Sequence, residues 1–356
     1  MSMQTVSGKP LRRHSTTAIL LIGLPVLLVS AVLATALGAT TIDPGLILQV
    51  ILDHLGILKN ETLPETAKTI ILMIRLPRIV SALLAGSGLA MAGTVMQGLF
   101  RNPLAEPGIL GVSAGASLGA LLAMVSGAGA FLALSGYAFV GALAAVSIIL
   151  LLSLMARGSA QTVTLIMSGM AVSALFGALT SLVLTMANEY QVASYIFWTM
   201  GGLANRRWEH AGAMLGPVLF TLLILVYRAR DLDILLLGDE EARSLGVSPG
   251  RTRTLLIILA SLSTAAIVSV TGPIGFVGLI VPHIMRLLVG PAHRQLTIAS
   301  AIGGGIFLML CDLLTRLFSR PTGAELSAGV VTAIVGAPYF LYLLFKSARR
   351  GGRLNG

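Results

Sequence analysis

Apolar residues in this chain gather into long runs, without the two-residue alternation of half-buried strands, and each run is closed by charged residues or by Gly and Pro. About 17 to 25 apolar residues is the length an α-helix needs to cross a bilayer core of about 30 Å. Read this way, the pattern predicts ten spans, at about 17–38, 76–99, 109–126, 131–155, 162–186, 211–228, 254–271, 274–290, 296–315 and 326–345. Two separators, Gly127-Ala128-Gly129 and Thr271-Gly272-Pro273, are thin enough that eight or nine spans also fit the residues. The predicted fold class is all-α: a polytopic membrane protein of about ten transmembrane helices, with 1–356 as a single transmembrane domain.

Composition removes the soluble alternative. Of 356 residues, 56% are hydrophobic and 11% charged, against about 25% charged in soluble domains. The net charge of +10 could suggest nucleic-acid binding, but no basic stretch is free of apolar spans, so no nucleic acid is expected. Cys311 is the one cysteine, which leaves no disulfide framework or cysteine metal cluster.

Lys and Arg set the orientation, because they accumulate in cytoplasmic loops. With the N-terminus inside, sixteen of the 24 basic residues fall on the inner side and eight on the outer side. The acids divide six inside and eight outside, so the whole +10 imbalance sits on the inner face. Both termini are then cytoplasmic. Lys9, Arg12 and Arg13 before the first run also resemble a signal peptide ending near Ala36-Leu37-Gly38-Ala39. That run, about 21 residues, exceeds a usual signal core of about 7 to 15, so a retained first span is expected.

Little charge lies within the spans. Asp312 and Arg316, four apart on one helix, read as a local ion pair near a helix end. Glu325, after Pro321 and Gly323, reads as part of an interfacial turn, and His283 after Pro282 as a structural histidine. An ion-coupled secondary transporter or channel needs polar groups at the midplane, and an intramembrane enzyme needs paired Asp or His ligands within spans. Both are poorly supported. Gly111, Gly115 and Gly119 form a small-residue face for close helix packing.

The most informative loop joins spans six and seven. Within 231–250, Asp239, Glu240 and Glu241 read as a helix start, with Asp239 as N-cap acceptor and Gly246 as the stop. Its apolar side needs a cover, either lipid headgroups or a docked cytoplasmic partner. No phosphate loop of the form GxxxxGK[ST] is present, so any coupling to ATP by that route belongs to another subunit.

Several segments together resemble one family. They are Arg75-Leu76-Pro77-Arg78, the stretch from Gln97 through Arg101-Asn102-Pro103-Leu104-Ala105-Glu106-Pro107 to Ser113, and Leu237-Gly238-Asp239-Glu240-Glu241-Ala242-Arg243-Ser244-Leu245-Gly246-Val247. Gly272-Pro273-Ile274-Gly275-Phe276-Val277-Gly278 through Val281-Pro282-His283 and Gly336-Ala337-Pro338 complete the set. In this order they resemble the FecCD-like permeases of type II ABC importers for ferric siderophores, haem and vitamin B12.

The resemblance implies a homodimer of ten-span subunits in the cell inner membrane, a cytoplasmic ABC ATPase dimer that uses ATP and Mg, and a periplasmic substrate-binding protein. It implies that spans two to five and seven to ten are inverted repeats. No cofactor is expected on this chain itself. Arg75, Arg78 and Arg316 match arginines that dock acidic residues of the binding protein; interfacial snorkelling is the plain alternative. Gly238, Asp239, Glu240, Glu241, Ala242, Arg243, Leu245 and Gly246 match the coupling segment that enters the ATPase. Asn102, Leu104, Thr162 and Val163 match the inner narrowing of the path, the last two loosely. Arg206 and Arg207 match no general family feature, and the cargo is not identified.

Overall fold

A computed structural model of the protein describes residues 16–38, 40–57, 63–128, 130–155, 160–322 and 326–351. Glu325 and the basic residues Lys9, Arg12, Arg13, Lys59, Arg157 and Arg353 lie outside the described residues. The chain begins with α1 (Thr16–Ala36) and the short α2 (Pro44–His54). Asp43 caps α2 by accepting the Leu46 N–H, with Pro44 in the first helical position. Next, α3 (Glu65–Thr69) runs through a π-helical stretch, Ile70–Arg75, into α4 (Leu76–Leu99).

A 3₁₀ turn at Pro107–Leu110 leads to α5 (Val112–Val125), followed by α6 (Phe131–Met155) and α7 (Ala160–Met186). Between spans lie α8 (Glu189–Thr199), opened by an Asn188–Gln191 capping box, and, after α9 (Trp208–Tyr227), the short α10 (Ala229–Leu235) and α11 (Asp239–Ser244). The last four are α12 (Pro249–Thr271), α13 (Val277–Val289), α14 (His293–Thr322) and α15 (Ala328–Gly351).

Eight helical stretches among the described residues are long and apolar enough to cross a membrane. The other two expected spans, 109–126 and 274–290, are the shorter helices α5 and α13. With 14 and 13 residues they measure only about 20 Å at 1.5 Å per residue. Both begin inside the packed bundle: Gly278 meets Leu89 and Pro107, and Gly111, before α5, meets Val172 and Ile149. The two Gly/Pro separators that looked thin in the sequence therefore have different standing. The 272–276 break is internal, whereas the turn after Val125 is a helix end with Gly127 at positive φ.

The core is organised on α4, buried along almost its whole length. Its glycines let other backbones approach. A Cβ on Gly86 would overlap the Gly304 carbonyl of α14, and one on Gly93 the Gly278 carbonyl of α13. Gly115 and Gly119 of α5 do the same against Gly141 and Tyr137 of α6, as the predicted glycine face requires. Gly111 has another job: at φ 64° it ends the 3₁₀ turn and redirects the chain into α5.

Helix pairing follows a twofold pattern. α4 packs on α14, α13 and α12; correspondingly, α12 packs on α6, α5 and α4. Within each set α5 pairs with α6 and α6 with α7, as α13 pairs with α14 and α14 with α15. Gly98 near the end of α4 meets His293 at the start of α14, while Arg78 near the start of α4 meets Asp312 near the end of α14. α12 begins at the Gly98 end, since its Arg253 bonds Asp239. The sets α4–α7 and α12–α15 therefore run in opposite senses. Below, the two faces are called the arginine end (Arg78, Asp312) and the coupling end (Asp239, His293).

Candidate functional site

At the arginine end the geometry starts from a proline. Pro77 has no N–H, and its ring crowds the carbonyl four residues earlier. The helix widens there: the Leu76 N–H bonds the Ile71 carbonyl, a five-residue step. The Leu72 carbonyl, left without its usual partner, accepts the indole N–H of Trp208 at 2.9 Å. Trp208→Phe should cost about 0.5–1.5 kcal/mol, the net worth of one hydrogen bond, readable as a small loss of thermal stability in detergent.

This widened turn sets Arg75 and Arg78 facing inward. Arg75 donates to the carbonyls of Thr35, Ala36 and Thr40, closing over the end of α1. Arg78 forks onto Asp312, with Nε 2.9 Å from Oδ2 and Nη2 2.8 Å from Oδ1. Arg316 Nε lies 3.3 Å from the same carboxylate, and its Nη1 donates to the Ala34 carbonyl at 2.8 Å. All three arginines are buried, and Asp312 is only 1% exposed. The predicted Asp312–Arg316 pair exists, but it is the minor half of the bonding. The tighter partner of Asp312 is Arg78, 234 residues away in sequence. Arg206 sits close enough to Arg78 to feel its charge.

At the coupling end, α11 projects as a short acidic turn. Asp239 is not the N-cap acceptor the sequence suggests; Gly238, at φ 137°, holds that position, and no side chain caps the helix. Asp239 instead receives the fork of Arg253, Nη1 to Oδ2 at 2.9 Å. That bond holds the Asp239 carboxyl below its ordinary value of 3.8. Its stabilising contribution is therefore in place at neutral pH and is lost as pH falls through the lowered pKa.

Gly246, at φ 82°, ends α11 as expected, in a Schellman arrangement with Val247 N–H on the Ala242 carbonyl and Gly246 N–H on the Arg243 carbonyl. Ala242 is buried beneath the turn, whereas Glu240, Glu241, Arg243 and Leu245 are exposed. The preceding α10 is anchored by Arg101 on the Leu235 carbonyl at 2.9 Å. Asp233 of α10 meets the buried ring of His293, Nδ1 at 2.6 Å, and accepts the His293 backbone N–H at 3.1 Å.

The residues expected at the inner narrowing occupy loop and helix-start positions. Asn102 is exposed, and its side chain accepts the Leu104 N–H at 2.9 Å. Leu104 is half-buried and Val163 exposed near the start of α7. Thr162 lies in the first turn of that helix, and its side chain lies outside the described residues. The loop then climbs into the bundle, where Glu106 lines a cavity of about 330 Å³ with Thr264, Val268 and Phe276. Glu106 is one of the six acids that the charge partition places on the inner side. The sequence carries no cue that the loop re-enters to meet the start of α13.

Stacked spans, internal half-helices and a braced acidic turn at one face define a multi-pass membrane permease. The chain belongs to the FecCD transport family, whose model matches residues 26–346, and is a permease of the type II ABC importer class. It is 46% identical over 282 residues to the cobalamin import system permease protein BtuC of Halobacterium salinarum, covering 79% of this chain and 74% of that one. It is 39% identical over 280 residues to the hemin transport system permease protein HmuU of Yersinia pestis, covering 77% and 83%. A solved transporter assigned to the metal-chelate type of ABC transporter, in an inward-facing conformation, superposes with a TM-score of 0.81 at 33% identity, covering 93% of this chain and 99% of that one.

Proposed function

We propose that this chain, as a homodimer in the cell inner membrane, forms the translocation path of an ATP-driven importer for a metal chelate: a ferric siderophore, haem or cobalamin. A periplasmic substrate-binding protein delivers the cargo at the arginine end, and a cytoplasmic ABC ATPase dimer, using ATP and Mg, drives the cycle from the coupling end. Both termini are cytoplasmic. The observation that carries this reading is the match along 26–346 to one transport family, joined to an exposed acidic turn that is rigidly braced from behind.

The brace supports the coupling role. Arg253 holds Asp239, Arg101 holds α10, and the outward side presents Glu240 and Glu241 with exposed Leu237 and Leu245 on either side. A partner cleft that moves this turn moves α10 and α12 with it, a rigid-body shift rather than local bending. Exposed apolar side chains on α7 and α8, among them Met167, Met170, Tyr190 and Phe197, offer surface for the second copy. Asn102, Leu104, Thr162 and Val163 are assigned to the inner gate. Arg75, Arg78 and Arg316 belong to the docking face, which their inward bonds keep in shape.

Reconstitution tests the whole. Uptake in proteoliposomes should require ATP, the ATPase and the binding protein; uptake that persists without the ATPase would mean an ion-coupled carrier instead. Reversing Glu240 and Glu241 to Lys should weaken the permease–ATPase association at least about tenfold, because like charges are brought together in a partner cleft shaped for acids. Pull-down of the ATPase and its stimulation by loaded binding protein are the readouts. Unchanged association would move the coupling role off α11.

A further inference from the structure

At the coupling end, the α9–α10 junction and the start of α12 border a cavity of about 280 Å³, lined by Arg228, Asp231, Ser248, Arg251, Thr252 and Leu255. Its donors outnumber its acceptors. Arg228 gives Nη1 to Asp231 Oδ2 at 2.9 Å, and Asp231 is the one carboxylate in the lining. Arg251 is exposed, and its side chain makes no hydrogen bond or ion pair with another described residue. Thr252 is only 9% exposed, yet its hydroxyl has no hydrogen-bond partner among the described residues.

The start of α12 adds backbone donors. Ser248 holds the N-cap position without capping the helix, and Pro249 fills the first helical position. The Gly250 and Arg251 N–H groups therefore find no acceptor among the described residues. The helix dipole places positive charge at the same end. Two guanidiniums, two hydroxyls and a helix start, set against one carboxylate already engaged, suit an anion with several oxygens. A phosphate meets that description better than a carboxylate, which offers only two.

The surroundings indicate what carries that phosphate. The Arg228 guanidinium stands 5.5 Å from the centroid of the Tyr227 ring, and Tyr227 is 80% exposed. An exposed tyrosine at the end of a membrane helix sits at headgroup level. Four and eight residues earlier, on the same face of α9, Leu223 and Leu219 are exposed as well. On α12, Ile258 is exposed one turn beyond Leu255. We propose that the cavity seats the phosphate of an anionic phospholipid whose acyl chains lie along Leu219 and Leu223. Arg228 and Arg251 hold its charge, and the Thr252 hydroxyl and the α12 N–H groups hold its oxygens. The orientation proposed above places this lipid in the cytoplasmic leaflet, where it ties α9 to α12 beside the coupling turn.

The test uses the purified full-length permease in neutral detergent, read by native mass spectrometry and thermal unfolding. Phosphatidylglycerol, phosphatidylcholine or inorganic phosphate is added. Wild type should retain phosphatidylglycerol in preference to phosphatidylcholine and be stabilised by it. Arg251→Gln should weaken that retention about fivefold, and Arg228→Gln with Arg251→Gln about 25-fold, the scale of one and two basic residues acting on an anionic lipid. Arg251→Gln breaks no bond within the described protein, so its fold is not at issue. Thr252→Val should cost roughly threefold, the worth of one neutral hydrogen bond. Arg230→Gln, exposed and outside the lining, should stay within about twofold of wild type.

Equal retention of phosphatidylglycerol by wild type and Arg251→Gln would overturn the proposal. Stabilisation by inorganic phosphate that Arg251→Gln abolishes, with no lipid retained, would assign the seat to free phosphate and remove the lipid. If neither source of phosphate binds and Arg251→Gln instead loosens pull-down of the ATPase, the cavity receives an acidic side chain of that subunit and the proposal falls. The lipid measurements need neither the ATPase nor the binding protein, so they decide the seat even if the importer reading fails.

Discussion

Asp312→Asn is expected to destabilise the protein by about 3–5 kcal/mol, the cost of breaking a buried ion pair from one side. The carboxylate is the shared acceptor of Arg78 and Arg316, and it is 1% exposed. An amide keeps the shape but removes the charge and one acceptor. Two guanidiniums then remain among carbonyls without the negative charge between them. Denaturant titration in detergent measures the loss. Replacing Arg78 by Met and Asp312 by Leu together should recover part of it, because an apolar pair of similar volume is often neutral. A loss below about 1 kcal/mol for Asp312→Asn, the range of a surface pair, would show that the network is wetter than its geometry indicates.

Gly93→Leu should be as severe. A side chain at 93 meets the backbone of Gly278, not a flexible side chain that could swing away. Relief requires α4 and α13 to separate, and α14 packs on both of them. We expect a cost above about 3 kcal/mol, beyond ordinary overpacking. Size-exclusion profiles of the solubilised protein should show little monodisperse material. Gly136→Leu and Gly212→Leu are the controls: nothing lies within 4 Å of a Cβ at either position, so both should behave like wild type.

These two sites mark where the sequence is readable and where it stops. Span positions are legible because the requirement they meet is local: enough consecutive apolar residues to cross a bilayer. Gly115 and Gly119 are legible for a similar reason, since four-residue spacing fixes them on one helix face. Gly86 and Gly93 have the same character but face two different helices, and only the fold reveals which. Asp312 shows the limit more sharply. Its four-residue spacing from Arg316 points to a local pair, while Arg78, far away in the chain, makes the better bonds.

The amphipathic α2 and α8 are missed for another reason. Each is only 11 residues, too short to register as a span. The half-helix α13 reads as a full crossing because Ile274, Gly275 and Phe276 lengthen its apolar run at the N-terminal side. The N-cap assigned to Asp239 fails because Arg253, fourteen residues on, competes for the same carboxylate. Trp208 is invisible as a donor until the proline-induced register shift frees a carbonyl for it.

α14 links the two faces as a single stiff strut. From His293 to Asp312 it rises through nineteen residue-to-residue steps, about 28 Å at 1.5 Å per residue, and an α-helix scarcely lengthens under load. Asp233 cannot travel without dragging the imidazole at the near tip or rupturing a 2.6 Å contact. Whatever tugs on α10 is thus delivered undamped to the rivet that fastens α1 and α4 on the opposite surface.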